Sequence, residues 1–213
     1  VLGSKSICAN ELADLSLKSI SPNVKYNWTV TQTGVTGAVA GSGNRINQLL
    51  KATSNAQGSA IYSIVPNISG CIGEPISVEI KVNPLPKALG PSLITICSKE
   101  SPKINLSSNL NGTVFSWKVV SSTIAGASDG TGNFIDQILE TSTVDQGNVV
   151  YSITPDNHGC SGEVLLIKVL VDPLPEVVLN DGIICTNQST GEVIKTYSLD
   201  SELSSADYEF QWY

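Results

Sequence analysis

The chain has 213 residues, a formal charge of -7, 15% charged and 41% hydrophobic side chains, and no methionine. An acidic chain with scattered Lys and Arg lacks the clustered basic stripe of a nucleic-acid surface, so no nucleic-acid partner is expected. Apolar runs such as VLLIKVLV, starting at Val164, are broken by charge well short of the roughly 20 residues a membrane-crossing helix needs, so no membrane span is expected either.

Taken in chain order, the sequence says nearly the same thing twice. Offsetting it by 89 positions aligns Cys8 with Cys97, Trp28 with Trp117, Tyr62 with Tyr151, Cys71 with Cys160 and Pro84 with Pro173 without a gap; 28 of the 79 positions from Cys8 to Pro86 are identical. A third copy begins with Cys185, 88 residues after Cys97, but its Trp212 follows 27 residues later rather than 20. Three units are therefore expected, at 1–86, 87–175 and 176–213, the last being only the N-terminal part of a repeat. A chain that starts without Met and stops inside a repeat is expected to be a piece of something longer. A period near 89 lets each unit own a core, which favours separate tandem domains over a solenoid whose short repeats share burial.

The first strongly patterned element alternates Val24, Tyr26, Trp28 and Val30, repeated as Thr113, Phe115, Trp117 and Val119. Period-2 alternation makes this a strand with the Trp on its core face, so Trp28, Trp117 and Trp212 are expected to be core residues rather than sugar-stacking platforms. Weaker strands follow around KINLSS and FIDQILE, and a short helix is conceivable at INQLLKA. The glycines of GSGN at Gly41 and GTGN at Gly130 suit tight turns; a dinucleotide site would need a third Gly and a following helix. Then NVVYSITP alternates Val149, Tyr151, Ile153 and Pro155, and VLLIKVLV alternates Leu165, Ile167, Val169 and Val171. Joined by a Gly-rich turn, these two runs form a hairpin. About seven short strands per repeat, with a buried Trp, predict an all-β fold of immunoglobulin-like sandwiches arranged end to end.

Five cysteines fall into order if Cys8 pairs with Cys71 and Cys97 with Cys160, each across 63 residues, leaving Cys185 without a partner; five reduced, buried thiols are the alternative. Bridges of this kind require an oxidising compartment. The close Cys and His spacing of a zinc site is missing, since the chain has a single His. Asp129, Asp156 and Asp172 suggest calcium, but their counterparts in the first copy are Ala40, Asn67 and Asn83, so no repeated metal site is expected. His158, the only His, falls in a hairpin turn and is replaced by Ser69 in the first copy, and no nucleophile-elbow motif accompanies it, so no catalytic triad is expected; Glu74 and Glu163 after Gly read as turn or strand-entry residues, and neither a catalytic residue nor a cofactor is expected. The repeated VNPLP and VDPLP end each last strand. Pro84, Pro86, Pro173 and Pro175 cannot donate to a ladder and favour extended geometry, so they are expected to form a short, stiff interdomain joint.

ICSKESPKINLSSN, FSWKV, GTGNFIDQIL, VVYSITPDNHGCSG and VLVDPLP together resemble the PKD-like repeats of very large surface proteins of Bacteroidota, gliding-motility adhesins of the SprB type among them. WTVTQT and WKVVSS stand where true PKD domains often carry a WDFGDG-like motif. The resemblance implies a secreted, cell-surface chain on the exterior of the outer membrane, exported through the type IX system, whose partners are neighbouring repeats, surface polysaccharide, and the secretion and motility machinery. The expected function is a noncatalytic adhesin stalk serving surface adhesion and gliding; a polysaccharide-binding module and an accessory region of a secreted enzyme are the alternatives.

Overall fold

The computed structural model describes residues 3–176. Cys185 and Trp212, and the expected third unit as a whole, lie outside the described residues apart from Glu176. All regular structure among the described residues is β, consistent with a composition rich in Thr, Ser, Val and Ile, whose side chains suit a pleated surface.

The first repeat contains β1 (Gly3–Cys8), β2 (Glu11–Ser16), β3 (Lys25–Thr33), β4 (Val35–Thr36), β5 (Gly41–Ser42), β6 (Arg45–Ala52), β7 (Gly58–Ile68), β8 (Cys71–Ile72) and β9 (Ile76–Asn83). Its larger sheet has the order β1-β9-β7-β3-β5, with β8 hydrogen-bonded to β7, and faces the three-stranded sheet β2-β6-β4. INQLLKA belongs to β6 and is strand rather than helix: Ile46 and Leu50 are fully buried while Arg45 and Asn47 face solvent. One pairing controls everything that follows. β1 runs parallel to β9, with Cys8 opposite Asn83, so the chain enters at one end of the sheet and Cys8 arrives at the end from which the joint departs.

The second repeat follows the same plan with β10 (Ala88–Leu89), β11 (Leu93–Cys97), β12 (Ile104–Asn105), β13 (Ser107–Ser108), β14 (Val114–Ser122), β15 (Gly130–Thr131), β16 (Phe134–Ile135), β17 (Gly147–Asn157), β18 (Cys160–Ser161) and β19 (Leu165–Asp172). Its large sheet is β11-β19-β17-β14-β15, and β11 again pairs in parallel with β19. The smaller sheet is broken up. Where β2 and β6 make six continuous pairs, the second repeat keeps Ile104–Asn105 against Phe134–Ile135 and a single bridge between Glu100 and Leu139. Pro102 stands where the first repeat has Ala13; it has no N–H to give the ladder, and the next residue, Lys103, turns to φ +45°.

Each repeat has its own core. One is built on Ala13, Trp28, Ile46, Leu50, Tyr62, Ile80 and Val82, the other on Ile104, Trp117, Ile135, Tyr151, Ile153, Ile167 and Val169. Trp28 and Trp117 are buried and donate their indole N–H to the carbonyls of Val39 and Ser128. Gly41 and Gly130 lie flat under these rings: a Cβ there would sit 2.8 Å and 2.5 Å from Cζ2 of Trp28 and Trp117. The second glycines of the same motifs, Gly43 and Gly132, take the positive φ of the turn.

Candidate functional site: the joint between repeats

The structure bridges Cys8 to Cys160, with an S–S distance of 2.06 Å and a Cα–Cα distance of 5.5 Å, across 152 residues. Cys71 and Cys97 are free and exposed among the described residues. This corrects the expected intra-repeat pairs Cys8–Cys71 and Cys97–Cys160, and the reason is the parallel first strand. Cys8 ends β1 beside Asn83 at the joint, whereas Cys71 follows the turn after the 11-residue β7, which runs the other way. With strands rising about 3.3 Å per residue, the two lie roughly 30 Å apart at opposite ends of one sheet. Cys160, after the equivalent turn of the second repeat, faces back towards the first.

That turn is set by local sequence. His158 and Gly159 both have positive φ, 54° and 80°, as do Ser69 and Gly70 in the first repeat. Two consecutive positive-φ residues between paired strands make the two-residue hairpin turn that matches sheet twist. Asp156 closes it by accepting from the N–H of Gly159 and the hydroxyl of Ser161; Asn67 accepts from the N–H of Gly70 in the first repeat. His158 is thus a turn residue of left-handed backbone.

Polar contacts and close packing surround the bridge. Ala9 donates its N–H to the carbonyl of Asn83 at 2.8 Å. Pro86 is buried, and Gly162 presses on its carbonyl so closely that an added Cβ would lie 1.7 Å from that oxygen. Lys87 donates its N–H to Asn109 Oδ1 at 2.7 Å, and Asn109 Nδ2 donates to Asn55 Oδ1 at 2.8 Å. One asparagine of the second repeat therefore holds both the linker and a loop of the first. Ala88–Leu89 then pairs with Ser107–Ser108, seating the linker on the second repeat. Pro84 and Leu85, with Ala9, Asn10 and Lys51 to Asn55, line a shallow polar hollow beside the joint. Pro173 and Pro175 occupy the equivalent place after β19.

The three aspartates that suggested calcium are engaged separately. Asp129 accepts from the N–H of Val119, Asp156 closes its turn, and Asp172 accepts from Gln146. Among the described residues no group of three or more His, Cys, Asp or Glu side chains could hold a metal ion, and no helix is long and apolar enough to cross a membrane.

A second repeated constellation escaped sequence reading. Tyr62 donates to Gln48 Oε1 at 2.9 Å, and Gln48 exchanges hydrogen bonds with the N–H and C=O of Val39, the carbonyl that also receives the Trp28 indole. Tyr151, Gln137, Ser128 and Trp117 repeat the arrangement. Burial pushes both phenols up to about 12. The available signal was that Gln48 and Gln137 coincide at the 89-residue offset, each two residues after a repeated Ile and two before a repeated Leu.

Among known proteins, the PKD-like domain family matches residues 5–86 and again 94–175. No curated protein matches. Solved structures similar to this chain include Dpr2 Ig1-Ig2 in complex with DIP-Theta Ig1-Ig3, at 11% identity and TM-score 0.35, covering 81% of this chain and 64% of that one. Drosophila N-cadherin EC1-4 is similar at 16% identity and TM-score 0.34, covering 80% and 47%, and mouse Cadherin-23 EC22-24 at 9% and 0.34, covering 81% and 63%. The chain thus spans less than two thirds of the length of these three.

Proposed function

The chain belongs to the PKD-like domain family, and from that premise we propose that it is a noncatalytic stalk segment of a secreted cell-surface adhesin, holding a more distal adhesive region away from the cell and carrying tension. The observation that supports this reading is the joint. Two independently cored repeats are coupled by a disulfide, a buried proline and an asparagine clamp, a coupling suited to transmitting force. A disulfide between two domains forms and persists in an oxidising compartment, which supports an extracellular location. By the resemblance described above, the larger protein is exported by the type IX route to the exterior of the outer membrane of a Bacteroidota cell, where it serves surface adhesion and gliding.

The test is binding of the purified, disulfide-bonded chain to a panel of bacterial and host polysaccharides and to abiotic surfaces, with small-angle scattering on the same sample. A stalk gives an elongated particle and no saturable binding. Saturable, competable binding would instead make the repeats weak adhesive modules acting by multivalency, and a compact particle would contradict the stalk reading.

A further inference from the structure

We propose that the Cys8–Cys160 bridge is one link of a series, in which the cysteine ending the first strand of each repeat is joined to the hairpin cysteine of the repeat that follows. Cys97 then bonds a following repeat, and Cys71 a preceding one. The inference deepens the stalk reading and rests on it for its purpose, but its chemistry is separate.

Cys97 ends β11 beside Asp172 as Cys8 ends β1 beside Asn83, so it stands at the joint-forming end of its repeat. Cys71 follows the same positive-φ turn as Cys160, at the opposite end of the first repeat. Both thiols are exposed and free, at positions whose counterparts are bonded. The counterparts of the residues in the described joint point to the same occupant. Asn109 and Asn55 meet at the described joint; their counterparts on the two outer ends, Ile20 and Val144, are 105% and 91% exposed, and Ile72 beside Cys71 is 74% exposed. Apolar side chains held this far into solvent, two of them at positions whose counterparts form the contact in the joint already present and the third next in sequence to a free thiol, fit another repeat of the same kind.

Closing each bridge removes two protons and two electrons from a pair of thiols; glutathione disulfide accepts them and leaves as two glutathione thiols. The consequence is mechanical. A single bridge of this kind encloses residues 9–159, and bridges repeated every 89 residues enclose overlapping loops, so that each domain lies inside the loop closed by a neighbour. Tension then passes from bridge to bridge and bypasses most of every domain.

The test is a three-repeat chain, residues 1–175 followed by a second copy of 87–175, refolded in a glutathione redox buffer, with thiol counting and non-reduced peptide mapping. Joining Pro175 to Lys87 reproduces the existing joint, and each repeat brings its own core. The expected result is two bridges, Cys8–Cys160 and Cys97 to the hairpin cysteine of the added copy, with two thiols left at Cys71 and the last first-strand cysteine. Four remaining thiols, or a bridge within one repeat, would overturn the proposal. Polysaccharide binding by the same protein would count against the stalk reading without altering the bridge map.

Discussion

Gly130 and Tyr151 show how far single residues in each repeat are held by their neighbours. Gly130→Ala places a methyl group against the Trp117 ring, which is overpacking of a buried aromatic; the expected cost is about 1–3 kcal/mol in chemical denaturation. Tyr151→Phe removes the donor to Gln137, and Gln137 keeps its bonds to Ser128, so the expected loss is about 1 kcal/mol at neutral pH. The buried tyrosines also set the alkaline limit. An unfolded tyrosine ionises near pH 10, while Tyr62 and Tyr151 in the fold are pushed up to about 12 by burial. Between these values the native state binds more protons than the unfolded one, so stability falls as pH rises. Denaturation measured from pH 9 to 12 should show this decline, and the double variant Tyr62→Phe/Tyr151→Phe should flatten it. Asp14 behaves oppositely: the Arg45 guanidinium, bonded to both its oxygens at 2.7 Å, holds the exposed carboxyl below its ordinary range.

At the level of elements, the two repeats differ most in the smaller sheet. The ladder of β2 and β6 is continuous, whereas Pro102 divides its counterpart. Amide hydrogen exchange should therefore be slower over residues 11–16 and 45–52 than over 100–105 and 134–140; equal protection would show that the interrupted ladder is as tight as the intact one. Strands with strict alternation were legible in the sequence: VFSWKVV and NVVYSITP lie in β14 and β17, and VLLIKVLV, all but its first residue, in β19. FIDQILE was legible only in part, because Phe134–Ile135 alone forms a strand there and Leu139 makes an isolated bridge. In the first repeat INQLLKA carried a pattern short enough to suit either period, and only pairing with β2 made it a strand.

For the whole molecule, the joint decides behaviour. Gly162→Ala drives a methyl group into the Pro86 carbonyl, whereas Gly73→Ala at the equivalent outer position meets only Pro66 Cγ at 3.0 Å. Oxidative refolding followed by peptide mapping should therefore show less Cys8–Cys160 bridge in the first variant and an unchanged yield in the second. Force spectroscopy reads the same bond. Pulled from its ends, the oxidised two-repeat chain should extend only through the residues outside the loop from Cys8 to Cys160. After reduction, each repeat of this period should release about 80 residues, or on the order of 280 Å at roughly 3.5 Å per residue. Two full-length steps in the oxidised sample would contradict a bridge that shelters both repeats.

The sequence by itself determined the all-β fold, the duplication at 89 residues and the two kinds of cysteine, one before each core and one in each last hairpin. These follow from period-2 burial and from self-similarity, both of which are written along the chain. It left open which cysteines meet, because a spacing of 63 within a repeat and one of 152 across the joint are equally compatible with a perfect repeat. Tertiary structure decided that point through the direction of one strand. Parallel pairing of β1 with β9 carries Cys8 to the far end of its sheet, out of reach of Cys71 and within 5.5 Å, Cα to Cα, of Cys160. The buried Tyr–Gln–Trp hydrogen bonds were hidden for a related reason: each joins residues 9 to 14 apart, and the partners meet only when the two sheets close on each other.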